Sequence, residues 1–320
     1  MRRAPPAEGE RRDWFDLPPQ VREALELHLK ARVIGSRVEP GGFSPGVASR
    51  LALSDGRRVF AKVLGPEPNL ESVGVHRREA RILAQMPSNA PVPKLLSVYD
   101  DGEWVALFLE EIEGRPPLLP WTQSELRRVV RGIESLVEFL TPAPFSAPPF
   151  GERYRRTFNL WREMLEREKS GTIRLNDLDP WAREHLHDLA SLEEGFEKAS
   201  AGSTLLHCDL RADNILIANR RVYFADWPGA CIGAGWIDLL GFLPSVAMQG
   251  GPKPWTIFDQ SSLAKAARTE HVNAILAAVT GYFLGNSRKP PPPGLSTLRP
   301  FQRAQGVEAL AWLRHRLDFG

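Results

Sequence analysis

Cysteine is scarce in this 320-residue chain, which has only Cys208 and Cys231. Two thiols cannot build a disulfide framework or a four-cysteine zinc site, and such sparing use fits a reducing, cytoplasmic setting. An excess of charge of one sign is also lacking. Lysine and arginine number 41 against 39 aspartates and glutamates, a formal charge of +2. That balance gives no electrostatic reason to expect a nucleic acid or a membrane surface as partner. Long apolar runs are missing too. The first sixteen residues are charged and have no apolar core, which speaks against a secretory signal. The stretch from Cys231 to Met248 holds one charge, Asp238, and is interrupted by Gly233, Gly235, Gly241 and Pro244. An acidic group at bilayer depth costs about 2.5–3.5 kcal/mol, so this stretch reads as buried loop and helix rather than a membrane span. Proline, by contrast, is plentiful at 28 residues, and stiff loops are expected.

Patterning divides the chain. Residues 1–18 read as a flexible leader, and 20–33 as a short helix with Val21, Leu25, Leu27 and Leu29 among charges. Apolar runs at 47–53 and 59–64 flank Ser54-Asp55-Gly56, and those at 95–99 and 104–109 flank Asp100-Asp101-Gly102; both predict hairpins. Val75, Ile82, Leu83 and Met86 recur at helical spacing between them. A connector rich in glycine and proline, 110–120, then opens a mostly helical half with candidate helices over 124–140, 154–168, 181–199, 263–283 and 301–317. One β island interrupts it, at 215–217 and 222–224, turned at Asn219-Arg220. The fold class is α+β: a small β-rich N-terminal lobe over 19–112 and a larger, mainly helical lobe over 113–320.

The residues that carry chemistry flank that island. His207-Cys208-Asp209-Leu210-Arg211-Ala212-Asp213-Asn214 precedes the hairpin and Ala225-Asp226-Trp227 follows it. A hairpin returns the chain to its starting point, so Asp209, Asn214 and Asp226 are expected at one edge. Three oxygen-bearing side chains there suit a hard cation such as Mg2+ together with phosphate oxygens. In the first lobe Lys62 stands between apolar neighbours on its strand, and Glu79 falls on the apolar face of the following helix. Buried charges need partners, so the two are expected to pair and leave the ammonium free to reach a phosphate. Between two strands lies Gly41-Gly42-Phe43-Ser44-Pro45-Gly46, whose glycines let backbone N–H groups approach an anion. It is not a Walker loop, since Gly46 is followed by Val47.

In that order, glycine loop, strand lysine, helix glutamate, connector, His-x-Asp-x4-Asn, hairpin and Asp-Trp, the chain resembles the protein-kinase-like two-lobed fold. More narrowly it resembles the aminoglycoside phosphotransferase family of small-molecule kinases, from about Val33 to Leu240. The resemblance implies a transfer of the nucleotide γ-phosphoryl to a hydroxyl, with Asp209 as catalytic base and Arg211 near the transferred group. It implies Asn214 and Asp226 as Mg2+ ligands, Lys62 on the phosphates braced by Glu79, and Gly42, Ser44 and Gly46 lining the nucleotide. ATP is the implied donor, with GTP not excluded, and Asp238 would steady the catalytic loop. Cys208 departs from the glycine often seen after the loop histidine. No Ala-Pro-Glu element or long activation segment follows Asp226, which argues against a protein substrate.

Other readings compete. A kinase-shaped pseudoenzyme that binds nucleotide without turnover would also show this layout, although all five polar residues of the set are present. His207 reads as scaffold, and His185-Leu186-His187-Asp188 as a solvated helix face. For the acceptor, a polycation would want an acidic pocket. Residues 251–320 hold nine basic against four acidic side chains, and residues 151–200 hold nine against eleven. Another sugar, an amino alcohol or another antibiotic is therefore expected at least as much as an aminoglycoside.

Overall fold

The computed structural model describes residues 4–9, 11–43, 46–66, 70–219 and 221–317. The N-terminal sheet contains β1 (Arg11–Arg12), β2 (Val33–Val38), β3 (Gly46–Leu53), β4 (Arg58–Leu64), β5 (Leu95–Asp100) and β6 (Val105–Glu110). Helix α1 (Pro19–Leu29) precedes β2, and α2 (Leu70–Leu83) links β4 to β5. Strand order is β1-β3-β4-β6-β5, with β2 also paired to β3. Side-chain alternation decides what each face does. On β4, Val59, Ala61 and Val63 join a core with Trp14, Leu51 and Phe108. Phe60 and Lys62 point the other way and line a cleft. Helix α2 buries Val73, His76, Glu79, Ala80 and Leu83, the three- and four-residue spacing of one helix face.

Beyond β6 come β7 (Gly114–Arg115), α3 (Gln123–Phe139), α4 (Phe150–Tyr154), α5 (Leu160–Lys169), α6 (Pro180–Glu184), α7 (Leu186–Glu194) and α8 (Phe196–Ala199). Then follow β8 (Thr204–Leu206), β9 (Ile215–Ala218), β10 (Val222–Phe224), β11 (Cys231–Gly233), α9 (Ile237–Met248), α10 (Pro254–Phe258), α11 (Thr269–Ser287) and α12 (Leu298–Leu317). β9 pairs antiparallel with both β10 and β7, and β8 pairs antiparallel with β11. These two ladders bracket the loop 207–214 and the return 225–230. Helix α11 is buried on most of its circumference and packs against α5, α7, α8 and α12, so it is the axis of the helical half. No helix among the described residues is long and apolar enough to cross a membrane; the stretch from Cys231 folds as β11, a turn and α9.

Several expectations change. The helix expected at 263–283 is a 3-10 turn at Leu263–Ala266 followed, after a break, by α11 from Thr269. Residues 11–17 are not a flexible leader: Arg11–Arg12 pair with β3, and Trp14 and Leu17 are buried in the sheet's core. One large indole outweighs the charges around it, at roughly 1.5–3 kcal/mol for burying a large apolar side chain. The helix expected at 181–199 is three short ones, broken at His185 and Gly195, and that at 154–168 is broken before Asn159, which sits at the N-terminus of α5. The short ladder β8–β11 had no alternation or turn signal to reveal it.

Close packing inside the helical half makes one glycine critical. Trp161 of α5 donates from Nε1 to Ala277 O on α11 at 2.8 Å. A Cβ on Gly281 would lie 2.6 Å from the Trp161 ring and 2.8 Å from Glu193 Oε1. Gly281→Ala should lower stability by about 1 kcal/mol, overpacking of about 2 kcal/mol outweighing a helix-propensity gain of about 1 kcal/mol. Urea denaturation checks this, and an unchanged or raised midpoint would contradict it.

Candidate active site

Lys62 draws the separate parts of the chain together. Its Nζ donates to both oxygens of Glu79, at 2.7 and 2.8 Å, and to Asp226 Oδ1 at 2.7 Å. Lys62 is 13% exposed and Glu79 1%, so this is a buried ion cluster rather than a surface pair. Burial pushes the Lys62 ammonium down, but Asp226 and Glu79 more than reverse it, and its pKa stands above the usual lysine value. Burial raises Glu79 against the pull of Lys62. Burial also favours the neutral form of Asp226, yet Lys62 overcomes it and holds that carboxyl well below the usual range.

Around Asp209 the backbone is set by Asp238, the second residue of α9. Its Oδ2 accepts from the His207 N–H at 2.7 Å and its Oδ1 from the Cys208 N–H at 2.8 Å. The Asp209 N–H donates to His207 Nδ1 at 3.2 Å, and His207 Nε2 lies 2.8 Å from Ala225 O. Since Nδ1 accepts, Nε2 carries the proton and donates. Burial lowers the His207 pKa despite nearby Asp238, so the ring is a neutral strut between the two loops. That is the scaffold role expected for it. Cys208 and Asp226 adopt φ of +67° and +70°, the left-handed region that suits glycine, so both L-residues are held there against their own preference.

Asp209 is 44% exposed and its Oδ1 accepts a short hydrogen bond from Arg211 Nη1. Burial in the cleft raises its carboxyl to about 6, against the attraction of Arg211. Arg211 also donates from Nε and Nη2 to the two oxygens of Asp213, at 3.1 and 2.9 Å. Its guanidinium lies 5.4 Å from the Phe43 ring and 5.9 Å from that of Phe301, and these two rings meet edge to face at 5.2 Å. Asn214 Nδ2 donates to Asp209 O at 2.8 Å. The amide oxygen therefore points away from that carbonyl.

Two cavities meet here. The smaller, about 120 Å³, is lined by Gly41, Gly42, Lys62, Asp213, Asn214 and Asp226, with an apolar slot of Val47, Phe60, Leu109, Ile112 and Leu216. The larger, about 410 Å³, is lined by Asp209, Arg211 and a group of aromatic side chains from α4, α11 and the turn after α4. Asp226 and His76 line both. The structure thus gathers Gly42, Lys62, Asn214 and Asp226 around one cavity and Asp209, Arg211 and Asp226 around its neighbour. Glu79 reaches the site through Lys62. Gly46 lines neither cavity; its φ is +91° and a Cβ would lie 2.5 Å from Val63 O, so glycine is needed there for the β3–β4 approach. Ser44 lies outside the described residues, as does Arg220 of the expected hairpin turn. Asp213, Tyr282, Gln302 and Gln305 also line the site; Asp213 stands in the segment read from the sequence but was given no role there, and the other three had no local signal. The last three reach it only because α11 and α12 fold back over the loop 207–214.

The donor set can be tested against a divalent ion. Asp226 offers a carboxylate and Asn214 an amide oxygen in one cavity beside the lysine. Among the described residues no group of three or more His, Cys, Asp or Glu could hold a metal without help. One or two protein oxygens completed by phosphate and water is how Mg2+ is usually held, so these residues fit it.

A strand-rich N-terminal sheet, helical C-terminal half and intervening cleft of this kind define a kinase-like fold. The phosphotransferase enzyme family (APH) matches over residues 43–271, and the chain belongs to this family of small-molecule phosphotransferases. Its fold is similar to that of a thermostable mutant of the aminoglycoside phosphotransferase APH(4)-Ia in ternary complex with ADP and hygromycin B. The TM-score is 0.60 at 15% identity, over 94% of this chain and 99% of that one. It is also similar to the choline kinase LicA from Streptococcus pneumoniae, with TM-score 0.58, 14% identity, and 92% and 98% of the two chains covered. A choline/ethanolamine kinase family protein from Mesorhizobium loti gives 0.53, 16%, and 92% and 98%. At such identities the likeness concerns the fold. No curated protein matches the sequence.

The Asp238 clamp makes a prediction. Asp238→Ala leaves two buried N–H groups without acceptors, a loss on the order of 3 kcal/mol, and releases the loop that carries Asp209. Both the melting temperature and kcat should fall. A variant that melts with the wild type would remove the clamp from the account.

Proposed function

We propose that the protein transfers the γ-phosphoryl of ATP to a hydroxyl of a small molecule. The observation that supports this best is the shared wall of the two cavities, with the Lys62–Asp226 pair on one side and Asp209 and Arg211 on the other. In this reading the smaller cavity takes the nucleotide, its purine in the apolar slot and its phosphates between Gly42 and Lys62. Asn214 and Asp226 would hold Mg2+, which when bound neutralises charge on the phosphate oxygens. Asp209 orients the acceptor hydroxyl and takes its proton, and Arg211 holds that carboxylate in place while adding positive charge near the transferred group. The nucleotide lobe in this scheme ends near Ile112.

The larger cavity bears on the acceptor. Among the described residues its lining carboxylates are Asp209, Asp226 and Asp238, and each already has a cation or backbone amide partner. A polycation entering it would lose hydration without new counter-charges. Phe150, Tyr154, Phe158, Tyr282 and Phe283 offer apolar ring surface instead, while Gln302 and Gln305 add polar points. We therefore assign a hydroxylated acceptor with an apolar body in preference to a polycationic aminoglycoside. Nucleotide consumption across a panel of alcohols, sugars and antibiotics tests this. Turnover confined to polycations would sink the assignment.

Two further outcomes are expected. Asp209→Asn should cut kcat by about 10²–10⁴, the usual worth of a positioned base, without lowering the melting temperature, because burial makes that carboxylate less favourable in the folded chain than in the unfolded one. Wild-type kcat with Asp209→Asn would remove its role as base. The pH dependence follows from the raised pKa of Asp209, about 6. The base works ionised, so kcat/KM should be level at higher pH and drop tenfold per unit as pH falls below about 6. A limb near the ordinary aspartate value of about 4 would contradict this. The pseudoenzyme reading predicts nucleotide binding with no turnover on any acceptor, and the complete set of five polar residues tells against it.

A further inference from the structure

Helix α12 carries amides where its core stripe should be apolar. Leu298, Phe301, Gln302 and Gln305 line the larger cavity, at the three- and four-residue spacing of one helix face. The stripe continues as Ala309, Trp312 and Leu313, which are fully buried. Gln302 and Gln305 break it where it borders the cavity, and they are only 5% and 4% exposed. Glutamine is mostly a surface residue, so packing alone does not explain two of them here. Their surroundings separate the pair. Gln302 Oε1 accepts from Arg299 Nη1 at 2.8 Å, one turn back on the same helix. Gln305 has no hydrogen-bond partner among the described residues.

A ligand that fills the cavity must pair with this carboxamide or leave it buried and unsatisfied, which penalises binding. Charge settles the kind of group. Among the described residues no charged side chain of α11 or α12 lines the cavity. The Tyr282 hydroxyl on the same side stays neutral, since burial and then the field of Asp209 raise its pKa. A formal charge entering here would shed its hydration and find no counter-charge. The amide NH₂ and C=O instead suit a hydroxyl, a carbonyl or another amide. The same two helices supply apolar surface through Val279, Phe283 and Phe301.

We infer that Gln305 is an acceptor-specificity residue, which hydrogen-bonds a second, neutral polar group of the acceptor, remote from the hydroxyl presented to Asp209. The substrate class is then a neutral bifunctional alcohol with an apolar body. This rests on the phosphotransferase reading of the cleft. The test compares kcat/KM of the full chain on matched acceptors. These are α,ω-diols against n-alkanols of four to ten carbons, and the alcohols of the activity panel against analogues lacking one remote hydroxyl or amide. The wild type should favour the bifunctional member of a pair. Gln305→Leu should cut that preference by about 5- to 30-fold, the worth of a buried neutral hydrogen bond left unpaired. It should also melt no lower than the wild type, because it removes a buried amide without a partner. If Gln305→Leu proves unfolded, Gln305→Met keeps the side-chain length and should show the same loss of preference. A preference in the variant within twofold of wild type, or a wild type that favours neither member, overturns this inference alone. A wild type that phosphorylates no alcohol of the panel overturns the reading of the cleft itself.

Discussion

An ammonium held between two carboxylates ties β4, α2 and the segment after β10 into one piece. Each of the three ions is costly to bury alone, and removal of one partner from such a cluster typically costs about 3–5 kcal/mol. The cluster therefore fixes how the sheet sits on the helical half, since Lys62 and Glu79 belong to one and Asp226 to the other. It also leaves Asp226 ionised and Lys62 protonated, the states in which a metal and a phosphate can be received. The same contact that closes the fold prepares the site.

The second constraint is local. Asp209 and Asp226 each follow or occupy a residue in the left-handed region, a conformation that costs an L-residue roughly 1–2 kcal/mol. The loop tolerates this because Asp238 takes two of its N–H groups and neutral His207 spans to Ala225. The rigid supports are α9 and the two short ladders, so the positions of Asp209 and Asp226 are inherited from secondary structure rather than from the loop's own preferences.

What could be read from the sequence follows the range of the interactions. Strands β3 to β6 and helix α2 were legible because alternation and helical spacing are local, and the Lys62–Glu79 pair because two charges among apolar neighbours need each other. The convergence of Asp209, Asn214 and Asp226 was legible from the hairpin between them. Illegible were the parts decided at long range. β8 and β11 are three residues each and pair across a gap that holds the loop 207–214 and the whole β9–β10 hairpin. Tyr282, Gln302 and Gln305 join the site only through the packing of α11 and α12. Trp14 was hidden among charges although its burial organises the N-terminal strand, and Gly46 looked like a phosphate loop when its role is to let two strands approach.

The meeting of Phe43 and Phe301 places the roof of the larger cavity on the same stretch of chain that borders the smaller one. Whatever shifts the glycine loop must also make or break that ring contact, which is worth on the order of 1 kcal/mol for an aromatic pair. In the proposed reading of the cleft the two compartments are therefore expected to be coupled, and by reciprocity each occupant would alter the hold on the other by the same factor.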